Sequence, residues 1–215
     1  MNTSLLIETA LKLFFMLTPF FVLSMFVTMT TEMETGARKG LALRATLSIN
    51  AVCLILYFFG RLIFNIFGIT VDSFRIGAGI ILMLTAIELV RGTAHASSSK
   101  QIRSATQKTP GGDACDLAVV PLTIPYVVGP GTIGMLLVLG GEAGNDLPVR
   151  LNTCVGIVLA ATATGLMLFF SDGLMKRLGY RSLQILSKIT GLVLAALSAQ
   201  SVMTGILNLI AAQHP

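Results

Sequence analysis

Tryptophan is absent from this chain, histidine occurs twice, cysteine three times, and charged side chains make up only 12% of the 215 residues. Without tryptophan, any aromatic girdle at a membrane interface must come from Tyr57, Tyr126, Tyr180 and the phenylalanines. His95 and His214 both lie outside the long apolar stretches, and the chain has no His-Glu-x-x-His. It also has no pair of aspartates within an apolar stretch and no serine beside a base, so neither an intramembrane enzyme nor a cofactor is expected. Cys53 and Cys154 fall within apolar stretches and Cys115 within a polar one. Free thiols follow from that spacing, not a disulfide framework or a metal site.

The shortage of charge excludes a soluble domain. Hydrophobic residues make up 54% of the chain and the mean hydropathy is +0.83. A spanning helix takes about 20 apolar residues, and six stretches qualify, 8–29, 43–66, 74–91, 117–139, 151–171 and 187–211. The sequence therefore predicts an all-α polytopic protein of six transmembrane helices. The opening Met-Asn-Thr-Ser-Leu lacks a cationic segment and reads as the start of the first helix, not as a signal peptide.

The net charge of +5 sorts by loop. Arg38, Lys39 and Arg44 follow the first stretch. Arg91, Lys100, Arg103 and Lys108 follow the third, and Lys176, Arg177, Arg181 and Lys188 follow the fifth. Arg61, Arg75 and Arg150 fall on the other side, with Lys12 inside the first stretch. The positive-inside rule places the basic loops in the cytoplasm and both termini outside, in the periplasm. The charge thus sets orientation, with lipid as the surrounding partner and no nucleic acid implied.

A Gly/Ser-rich polar stretch, 92–116, separates a first three-helix repeat, 1–91, from a second, 117–215. Leu17-Thr18-Pro19 echoes Leu122-Thr123-Ile124-Pro125, and Arg44 echoes Arg150. Arg75-Ile76-Gly77-Ala78-Gly79 likewise echoes Lys188-Ile189-Thr190-Gly191. Because each copy has an odd number of helices, the second must enter the membrane from the opposite side, an inverted repeat of the kind used by secondary transporters. The small residues Gly77, Ala78 and Gly79, and Gly191, Ala195, Ala196, Ser198 and Ala199, predict close helix packing.

Pro121, Pro125, Gly129, Pro130 and Gly131 interrupt the fourth apolar stretch. Backbone groups freed by such a break are tolerated only against protein or a hydrated cavity, and a helix broken at mid-depth points to a transport site. Proline suits the first turn of a helix, so a half-helix is expected to begin near Pro130. The amides of Gly131, Thr132 and Ile133 would then offer a dipole-favoured seat for a carboxylate, with glycine allowing close approach. Pro19 predicts a matching break in the first helix, which would form the opposite wall. Thr18, Ser24, Thr28, Asn50, Thr123 and Thr132 supply the mid-depth polar groups, and a neutral, hydroxyl-lined cavity is expected. Glu8 and Lys12, four apart, are expected to pair near the outer end. Asp72 and Arg75 are placed in the outer turn before the third helix, and no carboxylate is placed at mid-membrane.

Two segments carry a family resemblance: Val119-Val120-Pro121-Leu122-Thr123-Ile124-Pro125 through Gly129-Pro130-Gly131-Thr132-Ile133, and Phe67-Gly68-Ile69-Thr70-Val71-Asp72-Ser73-Phe74-Arg75-Ile76. On them the chain resembles the MarC family of bacterial inner-membrane proteins, which includes the small neutral amino acid transporters called SnatA. The resemblance covers nearly the whole chain. It implies six helices in inverted repeats, similar to the LysE-type exporters, and transport of glycine, alanine, serine or threonine across the inner membrane. One departure lies in the first helix, where many members carry Asn-Pro-x-Gly-Asn-x-Pro and this chain reads Thr18-Pro19-Phe20-Phe21-Val22-Leu23-Ser24.

The expected function is therefore a secondary transporter of a small neutral amino acid. Its substrate-binding residues would be Thr18, Pro19, Pro121, Thr123, Pro125, Gly129, Pro130, Gly131 and Thr132. A proton or sodium ion is the candidate coupling ion, and the sequence leaves the oligomeric state open. The rival readings are an exporter or channel for another small solute, and a non-transporting protein of the same family.

Overall fold

The computed structural model describes residues 3–31, 33–93, 127–143 and 146–213. These residues form seven α-helices and no strand: α1 (Thr3–Met16), α2 (Pro19–Met29), α3 (Thr35–Phe67), α4 (Val71–Arg91), α5 (Pro130–Glu142), α6 (Leu147–Phe169) and α7 (Ser171–Gln213). Four of them, α3, α4, α6 and α7, are long and apolar enough to cross a membrane. The pair α1–α2, bent by 43°, passes the same test when counted as one broken helix, which brings the candidate spans to five. The chain is a polytopic helical membrane protein. The predicted fourth span, 117–139, enters the described residues only at Val127, and most of the predicted linker lies outside them.

Local chemistry sets the boundaries. Pro19 has no N–H and its ring clashes with the preceding turn, so α1 stops at Met16 and α2 starts afresh at Pro19. Between them Thr18 adopts a left-handed conformation, φ 47° and ψ 54°, uncommon for a β-branched residue. Gly68 and Gly92 end α3 and α4 with φ of 63° and 76°, where glycine carries no Cβ penalty. The Thr70 hydroxyl caps α4 by accepting the Ser73 N–H at 3.2 Å.

Two sequence expectations change here. The segment between the predicted fifth and sixth spans is helical, because α7 begins at Ser171 and is broken only at Gly179, φ 70° and ψ 161°. Asp72 and Arg75 belong to the first turns of α4, not to a preceding turn, because the Thr70 cap moves the helix start outward.

The exterior is apolar. Leu47, Phe58, Leu62, Ile66, Leu84, Leu192 and Leu207 are exposed on the long helices, the surface that a lipid environment covers. Small residues bring the helices together inside. On the α4–α7 seam the Ser198 hydroxyl donates to the Gly79 carbonyl at 2.6 Å, and Gly191 packs against the Ala86 carbonyl. On the α3–α5 seam Gly60 lies against the Leu137 carbonyl and Gly140 against the Tyr57 carbonyl. This is the small-residue packing expected of membrane helices, although Gly77 departs from it and faces open space. At the opposite end of the bundle from Glu142, Arg38 of α3 pairs with Asp172 of α7 and donates to the Thr30 carbonyl at 2.6 Å.

Candidate functional site

At the α1–α2 break the last turn tightens. Leu17 N–H still reaches the Leu13 carbonyl, but Thr18 N–H turns back to Phe15, each at 3.0 Å. A helix ends with four carbonyls lacking intrahelical partners, and Met16 carries one of them. The partner comes from the other half of the chain. Gly129 is extended, with φ −67° and ψ 166°, and Pro130 takes the first helical position of α5, as the sequence predicts. Two residues on, the Thr132 hydroxyl donates to the Met16 carbonyl at 2.9 Å in a buried contact. The start of α5 thus satisfies the broken end of α1.

Thr18, Pro19, Gly131 and Thr132 are buried together in this region, Gly129 is half-buried, and Pro130 is exposed. Pro121, Thr123 and Pro125 lie outside the described residues. Two details differ from the sequence reading. Ile133 N–H is not offered to a ligand, because it donates to the Gly129 carbonyl at 2.9 Å. Gly131 admits a neighbouring helix, not a solute, on the side where a side chain would stand: a Cβ there would lie 2.7 Å from the Leu82 Cα. The crevice beside Thr132, lined by Leu13, Leu17, Cys53, Leu136 and Ile157, is apolar and too narrow for a water molecule.

The other mid-depth polar groups mostly serve their own helices. Thr28 donates to the Ser24 carbonyl and Asn50 to the Thr46 carbonyl, both at 2.9 Å. The buried Ser24 hydroxyl has no hydrogen-bond partner among the described residues. Phe21, one of the residues departing from the first-helix motif, packs into the core. Cys53 and Cys154 are free thiols, as expected, and Cys115 lies outside the described residues.

A cavity of about 390 Å³ opens between α1, α4, α5 and α7. Its floor is Leu13, Met16, Met135 and Leu197, so it descends to the residue at which α1 breaks. Its walls carry Gln200, Ser201 and Thr204 from α7, and the Ser201 hydroxyl points to the Met135 sulfur at 3.3 Å. Glu8, Lys12, Arg75 and Glu142 also line it. Lys12 pairs with Glu8 at 2.6 Å, as their spacing predicts. Arg75, only 7% exposed, pairs with Glu142 and lies 3.6 Å from Asp72, which in turn accepts from Asn208 at 2.9 Å. This cavity is charged, and none of the residues named for the neutral, hydroxyl-lined cavity at the break lines it. Arg75 and Glu142 meet because the start of α4 and the end of α5 lie side by side, a contact that no local pattern encodes. The one available signal was Arg75 three residues after Asp72 at the head of an apolar stretch.

Comparison with known proteins agrees with this architecture. The model of the MarC family of integral membrane proteins matches residues 3–210. Among curated relatives, a UPF0056 membrane protein of Methanocaldococcus jannaschii is 30% identical over 91% of this chain and 92% of its own length. The UPF0056 membrane protein YhcE of Escherichia coli is 29% identical over 90% of this chain and 88% of its own. The UPF0056 inner membrane protein MarC of Salmonella typhimurium is 24% identical, covering 91% of both chains. No solved structure matches this chain. With a family match running almost end to end on a helical membrane fold, the chain belongs to the MarC family of integral membrane proteins.

Proposed function

We propose that this protein is a secondary transporter for a small neutral amino acid of the glycine, alanine, serine and threonine class, seated in the bacterial inner membrane. The observation that carries the proposal is the bond from Thr132 to Met16, where a half-helix start meets a helix break inside the bundle. Backbone breaks at membrane depth need protein or hydrated surroundings, and transporters use them to handle ions and polar solutes. The cavity ending at Met16 gives such a solute a path from one face to the break.

The packing also supports an inverted repeat of 1–91 and 117–215, since α4 packs on α7 and α3 on α6, the equivalent helices of the two halves. Rocking of one half on the other would alternate access. On this reading the rocking opens the closed crevice beside Thr132, and the substrate carboxylate then rests near the Gly131 and Thr132 amides, beside Thr18 and Pro19, with Pro121, Thr123, Pro125, Gly129 and Pro130 completing the proposed substrate-binding set. A proton or sodium gradient is the candidate driving force. The inner-membrane setting is carried over from relatives named as inner membrane proteins.

The test is uptake of radiolabelled glycine, alanine, serine and threonine into proteoliposomes, with and without a sodium or pH gradient. Saturable uptake of at least one, above that of protein-free liposomes, is expected. Uptake of none of the four under any gradient would overturn the proposal.

A further inference from the structure

We propose that the cavity between α1, α4, α5 and α7 is itself a binding site for a zwitterion, an outer station that a solute occupies before it reaches the helix break. The inference rests on the transport reading for the identity of the solute, while the site stands on its own geometry.

Charges of both signs face one space. Glu8 and Lys12 come from α1, Arg75 from α4 and Glu142 from the end of α5. These four lining charges cancel in the pairs Lys12–Glu8 and Arg75–Glu142, so a ligand with separated but balanced charges can exchange into both pairs without adding net charge to the cavity. A net-charged solute would leave one charge uncompensated there. Ionisable groups within membrane helices are costly and typically mark solute pathways. Arg75 is the sharpest case, buried and held by a carboxylate from the other half of the chain. A carboxylate on the ligand would accept from Arg75 and Lys12 together, while its ammonium would donate to Glu142 or Glu8.

The remaining surface suits a short side chain. Leu13, Met16, Met135 and Leu197 form an apolar floor, and above it the Ser201 and Thr204 hydroxyl oxygens, which donate to the Met135 sulfur and the Gln200 carbonyl, can accept from a ligand. The volume of about 390 Å³ lies near the lower end of small-molecule sites, about 300–1,000 Å³. The site differs from the seat at Gly131 and Thr132, since neither residue lines it.

Site occupancy can be read with a thiol on the cavity wall. Thr204→Cys in the full-length protein in lipid nanodiscs is modified by a small water-soluble thiol reagent, and labelling of the wild-type cysteines is subtracted. At least one of glycine, alanine, serine and threonine, at about ten times its half-protecting concentration, should slow modification about tenfold. Propionate and ethylamine, each carrying one of the two charges, should not slow it. Lys12→Gln, at the exposed rim where folding is not at stake, should raise the half-protecting concentration about tenfold, the loss of one charge-assisted bond. Arg75→Gln should abolish protection wherever that variant folds.

Lack of protection by all four amino acids overturns the site, as does equal protection by propionate or ethylamine, or an unshifted Lys12→Gln. Uptake by the same protein in proteoliposomes separates the two proposals. Uptake without protection overturns this site alone. Protection without uptake supports the site and overturns the carrier. Neither overturns both.

Discussion

The Thr132 hydroxyl donates to the Met16 carbonyl across 2.9 Å, joining the start of one half-helix to the broken end of another 116 residues earlier in the chain. Thr132→Val keeps the shape and removes the donor, leaving a buried carbonyl without its partner. Such a loss costs about 1–3 kcal/mol. Thermal unfolding of the purified variant should therefore come at a lower temperature than wild type, and Thr132→Ser should recover most of the difference. Equal stability of the Val and Ser variants would show that the bond does not hold the break.

Gly131 and Gly77 make a contrasting pair. A Cβ at position 131 would press on the backbone of Leu82, whereas one at position 77 meets nothing within 4 Å. Gly131→Ala must therefore push α5 away from α4, at a cost of about 1–3 kcal/mol for overpacking. Leu82→Ala should not rescue it, because the nearest atom is backbone. Gly77→Ala should instead gain about 0.5–1 kcal/mol of helix stability. Thermal unfolding of the two single variants and the double variant checks all three outcomes. A bulky residue at 131 consequently perturbs packing as well as any ligand, so the effect of a substitution there on transport must be read beside its stability.

Arg38 ties together three segments by pairing with Asp172 and donating to the Thr30 carbonyl. Asp172 is partly exposed, so solvent screens the pair, and its coupling energy in a double-mutant cycle should be about 1 kcal/mol or less. Arg38→Gln should nevertheless destabilise more than Asp172→Asn, because it also withdraws a donor from the Thr30 carbonyl. Unfolding of the two single variants and the double variant measures both quantities, and equal effects of the two single changes would contradict the shared role of Arg38.

The break at Pro19 and the helix start at Pro130 were legible in the sequence because proline acts locally: each fixes φ and forfeits a donor, so α2 and α5 begin where those residues stand. The seams at Gly79 and Gly191 were legible for a similar reason, since small residues at helical spacing have few other uses in lipid. What escaped notice depends on distant contacts or on single capping groups. The Thr70 cap carried Arg75 into α4, and packing of α4 on α5 gave it Glu142. Likewise, one left-handed glycine, Gly179, let the segment before the last predicted span coil as helix on both sides of it.

Orientation gives a prediction independent of transport. The positive-inside rule predicts that Lys39 and Lys176 face the cytoplasm and that Asp146, in the turn before α6, faces outside. In a background with Cys53, Cys115 and Cys154 changed to serine, Lys39→Cys and Lys176→Cys should react with an impermeant thiol reagent only in inside-out vesicles, and Asp146→Cys only in intact cells. The reverse pattern would invert the assigned topology.

Counterflow bears on the carrier reading more directly than any substitution. Proteoliposomes preloaded with unlabelled alanine or serine and diluted into a trace of the labelled compound should accumulate label transiently above its outside concentration, because a reorienting site exchanges one molecule for another. Label that rises only to equilibrium, at a rate proportional to concentration without saturation, would show an open pore and contradict a site that alternates between the two faces.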